Sequence, residues 1–464
     1  MNKPSYQLTR HPVGTISEIW TISWPLIIGL LSMSLMMFFD RFLLSRYSIG
    51  ALNAASSSGT ATWALFVLPM AICGISEVFV GRFHGEGRLG DLGKPVWQMV
   101  WFSLMVWPLY AIGSHWIAPV IFYDTGQTAL ETIYFTTLMT FSPIWFIQVA
   151  LSGYFVGIGR VTVITFCTVI ANVVNYCLDV VFIYGWGPIP EMGIAGAAYA
   201  SIIGEFVHIS LLGALFLSKE HRLHHGTARP AFNWQLFWDS IRIGFPAGLG
   251  LVVEVAAHFA LFRLMMLAGG YNLTITAIVQ SMFLLVFFIY EGLSKGVTTV
   301  CANLHGGKEL TLIPRVLRSA MMLHSFFFLV IAMIMGLFGQ QIAASFFNTN
   351  DIHLMNDPLF LYQLRLAYCW MALFFLFDGW VRVFAGQLTA AGDTKFLLYA
   401  GTVLNVIAYM IPLFLIVNFA KGGADDAWMV ITFYSASMFV IYLWRYRSGR
   451  WKESSAKLEH AEQP

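Results

Sequence analysis

The feature that most limits what this chain can fold into is its succession of apolar runs, each about as long as a bilayer is thick. A helix rising about 1.5 Å per residue needs roughly 20 mostly apolar residues to cross the hydrocarbon. Twelve such stretches can be read, near 16–39, 52–80, 95–121, 131–157, 161–184, 193–217, 241–268, 273–303, 316–346, 360–388, 396–419 and 427–446. Of the 464 residues, 58% are hydrophobic and 11% charged, where a soluble domain has about 25% charged. A water-soluble core could not hide that much apolar surface. In lipid every backbone N–H and C=O must be paired inside its own span, which for separate apolar segments means helix. The expected fold class is an all-α integral membrane protein with twelve transmembrane helices.

The basic residues sit in the short gaps between runs. With the N-terminus inside, about nineteen Lys and Arg fall at inner loops and their flanks, among them Lys3, Arg10, Arg82, Arg88, Arg160, Arg318 and Arg447. Three, Arg41, Arg46 and Lys421, fall outside, where Asp124, Asp351, Asp357, Asp425 and Asp426 also lie. This asymmetry predicts both termini in the cytoplasm, in what we expect to be a bacterial inner membrane. Lys3 and Arg10 precede a first run too long for a signal peptide, so it reads as a span. The one extended polar interruption, 218–240, reads as a cytoplasmic linker with solvated histidines. It divides an N-terminal six-helix lobe (1–217) from a C-terminal one (241–447), and 448–464 reads as a polar, mobile cytoplasmic tail.

Several function classes are disfavoured. Scattered basic residues do not make a nucleic-acid surface. Cys73, Cys167, Cys177, Cys301 and Cys369 all lie in apolar runs without ligand spacing, so they read as small core hydrophobes. No GxxxxGK[ST], HExxH or GxSxG occurs, so neither ATP-driven transport nor a membrane enzyme is expected, and no cofactor.

The chain repeats itself. Trp24-Pro25 opens the first span and Phe245-Pro246 the seventh; Phe83-His84-Gly85 closes the second and Leu304-His305-Gly306 the eighth. Both pairs are 221 positions apart, as Pro25 to Pro246 and Gly85 to Gly306 show. Gly159, Asn172 and Tyr176 match Gly392, Asn405 and Tyr409 at a shift of 233. Six spans per half is an even number, so both halves enter from one side and pair about an axis along the membrane normal. That arrangement suits rocking about a central cleft. Helix bends are expected at Pro25 and Pro246.

Ionisable groups inside spans should face the bundle interior or water. Asp40 lies at the outer part of the first span; Asn175 and Asp179 are four apart on one face. These oxygens suit Na⁺, or H⁺ if burial favours the neutral carboxyl, and equally suit an interhelical hydrogen-bond network. Glu254 and His258 are four apart on the seventh span, Asp378 and Arg382 on the tenth. The two acids are a second candidate ion or substrate site, unless Arg263 neutralises Glu254 and Arg382 neutralises Asp378. His258 reads as a buried hydrogen-bonding residue and a candidate for the cleft wall. Glu291 and Lys295 have the spacing of a structural ion pair, and Glu77 and Glu205 are weaker candidates.

The chain resembles the multidrug and toxic-compound extrusion (MATE) family. The resemblance runs through Trp24-Pro25, Asp40 with Ala51-Leu52-Asn53-Ala54, Gly81–Gly87, Gly157–Arg160, Asn175, Asp179, Gly193–Ala198, Phe245-Pro246, Glu254, Phe377-Asp378-Gly379 and Ala391–Thr394. It covers nearly the whole chain and is nearest the NorM-like branch; Arg41, Ser45, Ser48, Arg263, Glu291 and Lys295 depart from the pattern. It implies two pseudo-symmetric six-helix bundles, a cation site at Asp40, Asn175 and Asp179, and Tyr134 in the cleft wall. The function it implies is secondary active multidrug efflux of amphipathic, often cationic small molecules by Na⁺ or H⁺ antiport with alternating access, by a monomer in the bilayer. A lipid-linked oligosaccharide or other lipid flippase is the alternative. It would need a basic cleft, for which Arg263, Lys295, Arg365 and Arg382 are the candidates.

Overall fold

The computed structural model describes residues 4, 6–123, 126–344 and 356–461; Lys3, Asp124 and Asp351 lie outside them. The apolar runs fold as helices. The first half holds α1 (Ile16–Tyr47), α2 (Ile49–Gly74), α3 (Ser76–Gly85), α4 (Gly93–Ile121), α5 (Thr128–Thr140), α6 (Pro143–Gly157), α7 (Val161–Tyr184) and α8 (Ile194–Phe216). A short α9 (Lys219–His224) leads to α10 (Trp234–Ala268), α11 (Asn272–Gly306), α12 (Ile313–Ala344) and α13 (Pro358–Ala390). Then follow α14 (Thr394–Leu404), a π-helical stretch at Asn405–Met410, α15 (Ile411–Phe419), α16 (Ala424–Arg447) and α17 (Trp451–Ala461). Among the described residues ten helices are long and apolar enough to cross a membrane. Two bent pairs, Thr128–Thr140 with Pro143–Gly157 and Asn272–Phe283 with Val286–Gly306, bring the count to twelve.

Helix starts follow from local chemistry. Asn233 Oδ1 accepts from Leu236 N (2.9 Å) and caps α10. Asp357 Oδ1 accepts from Leu359 N and Phe360 N (2.8 and 3.2 Å), with Pro358 at the first helical position of α13. Such groups satisfy donors that a helix start leaves orphaned.

Four expectations are corrected. First, α1 runs on to Tyr47, so Asp40, Arg41 and Arg46 are helical; Ser48 is the residue that turns extended (φ −163°), and its hydroxyl caps α2. Second, two spans read as single runs carry sharp bends of 45° and 41°, between α5 and α6 and within α11; Pro25 and Pro246 lie inside the continuous helices α1 and α10. Third, the linker is shorter than 218–240, because α10 already starts at Trp234, and its histidines are not all solvated. His221 is buried and stacks on His225 (5.2 Å), whose Nδ1 pairs with Tyr154 Oη (2.5 Å). Burial, with His221, His84 and Arg160 nearby, pushes His225 down to about 4, so the ring stays neutral. Fourth, the described part of the tail is the helix α17, anchored by the buried Trp451 stacked on Tyr446 (6.0 Å).

The repeat is visible in the backbone. Gly159 and Gly392 both take positive φ (73° and 76°), as do Gly87 and its counterpart Lys308 (77° and 58°). Arg88 N bonds Phe83 O as Glu309 N bonds Leu304 O, both at 2.9 Å. Arg160 N bonds Phe155 O as Asp393 N bonds Leu388 O, both at 2.8 Å. The second span of each half thus ends in the same cap, and so does the fourth.

The two six-helix bundles meet where these ends cross. A Cβ on Gly81 would come within 2.9 Å of Ala302 Cβ. A Cβ on Gly85 would collide with the Asn303 carbonyl, and one on Gly306 with the Arg82 carbonyl. Gly81 and Gly85, like Ala302 and Gly306, are four apart, so each helix offers a small-residue face that lets backbones touch. Polar contacts obey the same pseudo-twofold. Arg82 donates to Ala390 O at the end of α13 (Nη2 2.7 Å), and Asn303 Nδ2 donates to Gly157 O at the end of α6 (2.9 Å). Each bundle therefore caps a carbonyl at a helix end of the other. Further up, Gly292 and Gly296 of α11 pack on Ile27 and Ser23 of α1, and Gly244 and Gly248 of α10 on Ile72 and Leu68 of α2. All these contacts lie in the half of the molecule nearer the two termini, and α17 seals the crossing from below through Ser455, which meets Arg82 (3.4 Å) and His305 (2.8 Å).

Gly85→Val and Gly306→Val should each lower thermal stability of the purified protein, by about 1–3 kcal/mol as overpacking does. Gly113→Val and Gly213→Val, where an added Cβ meets nothing within 4 Å, should be near neutral. Equal melting temperatures for all four variants would contradict the close crossing.

Candidate functional site

The residues singled out in the first half do come together. Asp40 near the far end of α1 and Asn175 and Asp179 on α7 are all buried. Oriented to satisfy its surroundings, the Asn175 amide donates to Asp40 Oδ1 (3.2 Å) and its oxygen accepts from Ser201 N of α8 (3.2 Å). Asn175 therefore holds Asp40 in place, and its oxygen already has a donor. The Asp40 and Asp179 carboxyls are within hydrogen-bonding reach of one another. Asp179 Oδ1 has no donor among the described residues. Tyr134 of α5 is buried beside both acids, and Arg41 lies near Asp40. Leu43, Ala54, Leu138, Ile183 and Ile202 form the apolar wall around them. Two carboxylates this close repel in a dry wall, and a proton or a cation between them offsets the repulsion. Among the described residues no group of three or more His, Cys, Asp or Glu could hold a metal ion.

The second-half acids also meet, but around a cation. Arg382 of α13 pairs with Glu254 of α10 and, at 3.5 Å, with Asp378 one turn before it. The guanidinium lies over the rings of Phe287 and Tyr290 (5.9 and 5.8 Å). Neutralisation of Glu254 by Arg263 was the alternative to an ion or substrate site; Glu254 meets Arg382 instead, and among the described residues Arg263 makes no ion pair. His258 Nδ1 contacts Glu254 O (2.9 Å) and its ring lies parallel to Phe283 (6.5 Å), so it is a hydrogen-bonded packing residue.

Glu291 and Lys295 do not form the ion pair their spacing suggests, among the described residues. Lys295 lies near Glu77 of the other bundle, whose carboxylate accepts from Thr299 Oγ1 (3.0 Å). Glu205 pairs with His208 (3.3 Å). Sequence reasoning missed the roles of Arg82 and Asn303. The signal was present, since the 221-residue shift places a polar side chain at both positions.

With this geometry in view, the comparisons are decisive about kinship. The MatE family model matches residues 25–181 and 246–414, one segment in each half. The chain belongs to the MatE family. It is similar to the probable multidrug resistance protein NorM of Thermotoga maritima, 23% identical over 432 residues, which cover 89% of this chain and 88% of that one. Among solved structures, a MATE protein in complex with MaL6 superposes with a TM-score of 0.84 at 19% identity, covering 97% of this chain and 100% of that one. A MOP superfamily transporter from Pyrococcus furiosus, described as having a binding pocket of reverse polarity, superposes at 0.83 with 18% identity, covering 97% and 99%. These likenesses carry the fold of a MatE protein onto this chain over nearly its full length.

The Arg382 cluster gives a direct test. Arg382→Gln leaves two carboxylates facing each other in a partly buried site and should cost about 3–5 kcal/mol of stability. Adding Asp378→Asn should recover most of that loss in thermal unfolding. A single variant as stable as the parent would show that Arg382 does not hold the acids.

Proposed function

We propose that this MatE protein exports amphipathic, often cationic small molecules by exchanging them for Na⁺ or H⁺, through alternating exposure of the cleft between its two bundles. The observation that carries the reading is the buried pair Asp40 and Asp179, with Asp179 Oδ1 lacking a donor. Such a pair repels when empty and is relieved by one proton or one monovalent cation. The names of relatives as multidrug resistance proteins support the substrate class.

The coupling follows from α1. Asp40 lies 13 residues beyond Ile27, about 20 Å along the helix, and Ile27 packs on Gly292 of the other bundle. One helix therefore joins the acid pair to the seal near the termini. Ion binding that favours one packing of α1 changes which side of the cleft is open, because a ligand shifts an equilibrium by its differential affinity for the two states. The bundles pack against each other at the termini face, and the excess of Lys and Arg supports a cytoplasmic side for that face. On this reading substrate leaves on the opposite side. We place it in the bacterial inner membrane, acting as a monomer. Of the four basic residues the flippase alternative needs, Arg382 is held between two acids and does not offer its charge to an anionic headgroup; Arg263, Lys295 and Arg365 make no ion pair among the described residues, and the alternative rests on them.

Asp40→Asn and Asp179→Asn should each reduce export of a fluorescent organic cation from proteoliposomes to the level of empty liposomes, under imposed Na⁺ or pH gradients, with insertion intact. Whichever gradient drives the parent names the ion. Undiminished gradient-driven export by both variants would remove the pair from the mechanism.

A further inference from the structure

On the outside of the second bundle, at the termini face, α12, α13 and α16 enclose a groove of about 550 Å³. Its floor is Phe384, and Met322, Phe326 and Leu329 extend it along α12 toward the membrane centre. Arg318 of α12 and Arg447, the last residue of α16, stand at its end nearer the termini. Both are exposed, and neither makes an ion pair among the described residues. Their basic neighbours are engaged elsewhere: Arg445 bonds Asp393 (2.7 and 3.0 Å), and Arg315 lies against Gly14 and near Glu18. From Arg318 to Leu329 is 11 residues, about 16 Å of helix, close to half the thickness of a bilayer's hydrocarbon.

We propose that this groove holds one anionic phospholipid of the leaflet at the termini face, with its phosphate between Arg318 and Arg447 and one acyl chain along Met322, Phe326 and Leu329. Charge and length both favour this occupant. Guanidinium groups bind phosphate oxygens in bidentate fashion, and basic pockets between spans at the cytoplasmic side suit acidic headgroups. The apolar track is the right length for one leaflet and ends where an acyl chain ends. A groove of similar size, about 570 Å³, lies beside α10 with Arg242 and Lys395. There Arg242 is already paired with Asp239 (3.3 Å), so that groove lacks a pair of unengaged cations and serves as an internal control.

The test is lipid retention by the full-length protein in native mass spectrometry, after reconstitution with equal amounts of phosphatidylglycerol and phosphatidylcholine. The parent should retain phosphatidylglycerol preferentially. Arg318→Gln with Arg447→Gln should lower that preference by about tenfold or more, while Arg242→Gln with Lys395→Gln leaves it unchanged. Leu329→Trp, which narrows the track but keeps both guanidinium groups, should also weaken retention, so the proposal remains testable if the double variant folds poorly. Glycerol phosphate in excess should neither compete with the lipid nor raise the melting temperature. Equal retention of the two lipids, loss of preference in both double variants alike, or full displacement by glycerol phosphate would each overturn the proposal.

Discussion

Two helix ends cross near the termini so closely that a side chain on Gly85 or Gly306 would strike the opposite backbone. The rest of the structure depends on that contact. It sets the axis about which the halves are related, since Gly85 meets Asn303 while their counterparts at a shift of 221, Gly306 and Arg82, meet each other. Between membrane helices the lipid supplies no hydrophobic drive, so association rests on close packing and on polar groups that find partners. Here both are present. Small residues bring the backbones together, and Arg82 and Asn303 satisfy the helix-end carbonyls at Ala390 and Gly157. A contact built from reciprocal halves can be released as a unit, which is the property a two-state transporter needs.

The other constraint is the cost of charge in hydrocarbon, and the two bundles meet it differently. In the second, Arg382 sits between Glu254 and Asp378 and the charge is largely compensated by protein. In the first, Asp40 and Asp179 have Asn175 and each other, and one oxygen is left without a donor. The duplicated framework thus sets an Arg among the acids of one bundle and an Asn beside those of the other.

Much of this was legible in the residues. Spans follow from run length, and the duplication follows from repeated helix-end motifs. Asn175 and Asp179 share a face by their spacing, and Asp40 meets them. What the sequence could not show was which partner a long side chain chooses. Glu254 meets Arg382 rather than Arg263, because a helix distant in sequence brings that charge within reach, and Lys295 makes no ion pair with Glu291 one turn away among the described residues. Helix ends were misplaced where polar residues continue a helix past the apolar stretch, as at Asp40 to Tyr47 and Trp234 to Ser240. The C-terminal helix was missed because its composition is polar, and its burial rests mainly on Trp451.

On the proposed function, the crossing near the termini opens and closes under control of the two acids, Asp40 at the far end of α1 and Asp179. The most direct measurement is the distance between spin labels on Leu89→Cys and Lys308→Cys, one on each side of the crossing, in a chain whose exposed Cys177 and Cys369 are replaced by serine. By pulsed electron resonance in lipid nanodiscs, the account predicts a short distance in one ionic condition. A second, longer population should grow as Na⁺ or pH is changed, and its dependence on the ion should disappear in the Asp40→Asn background. A single distance that never changes with pH, Na⁺ or substrate would contradict it.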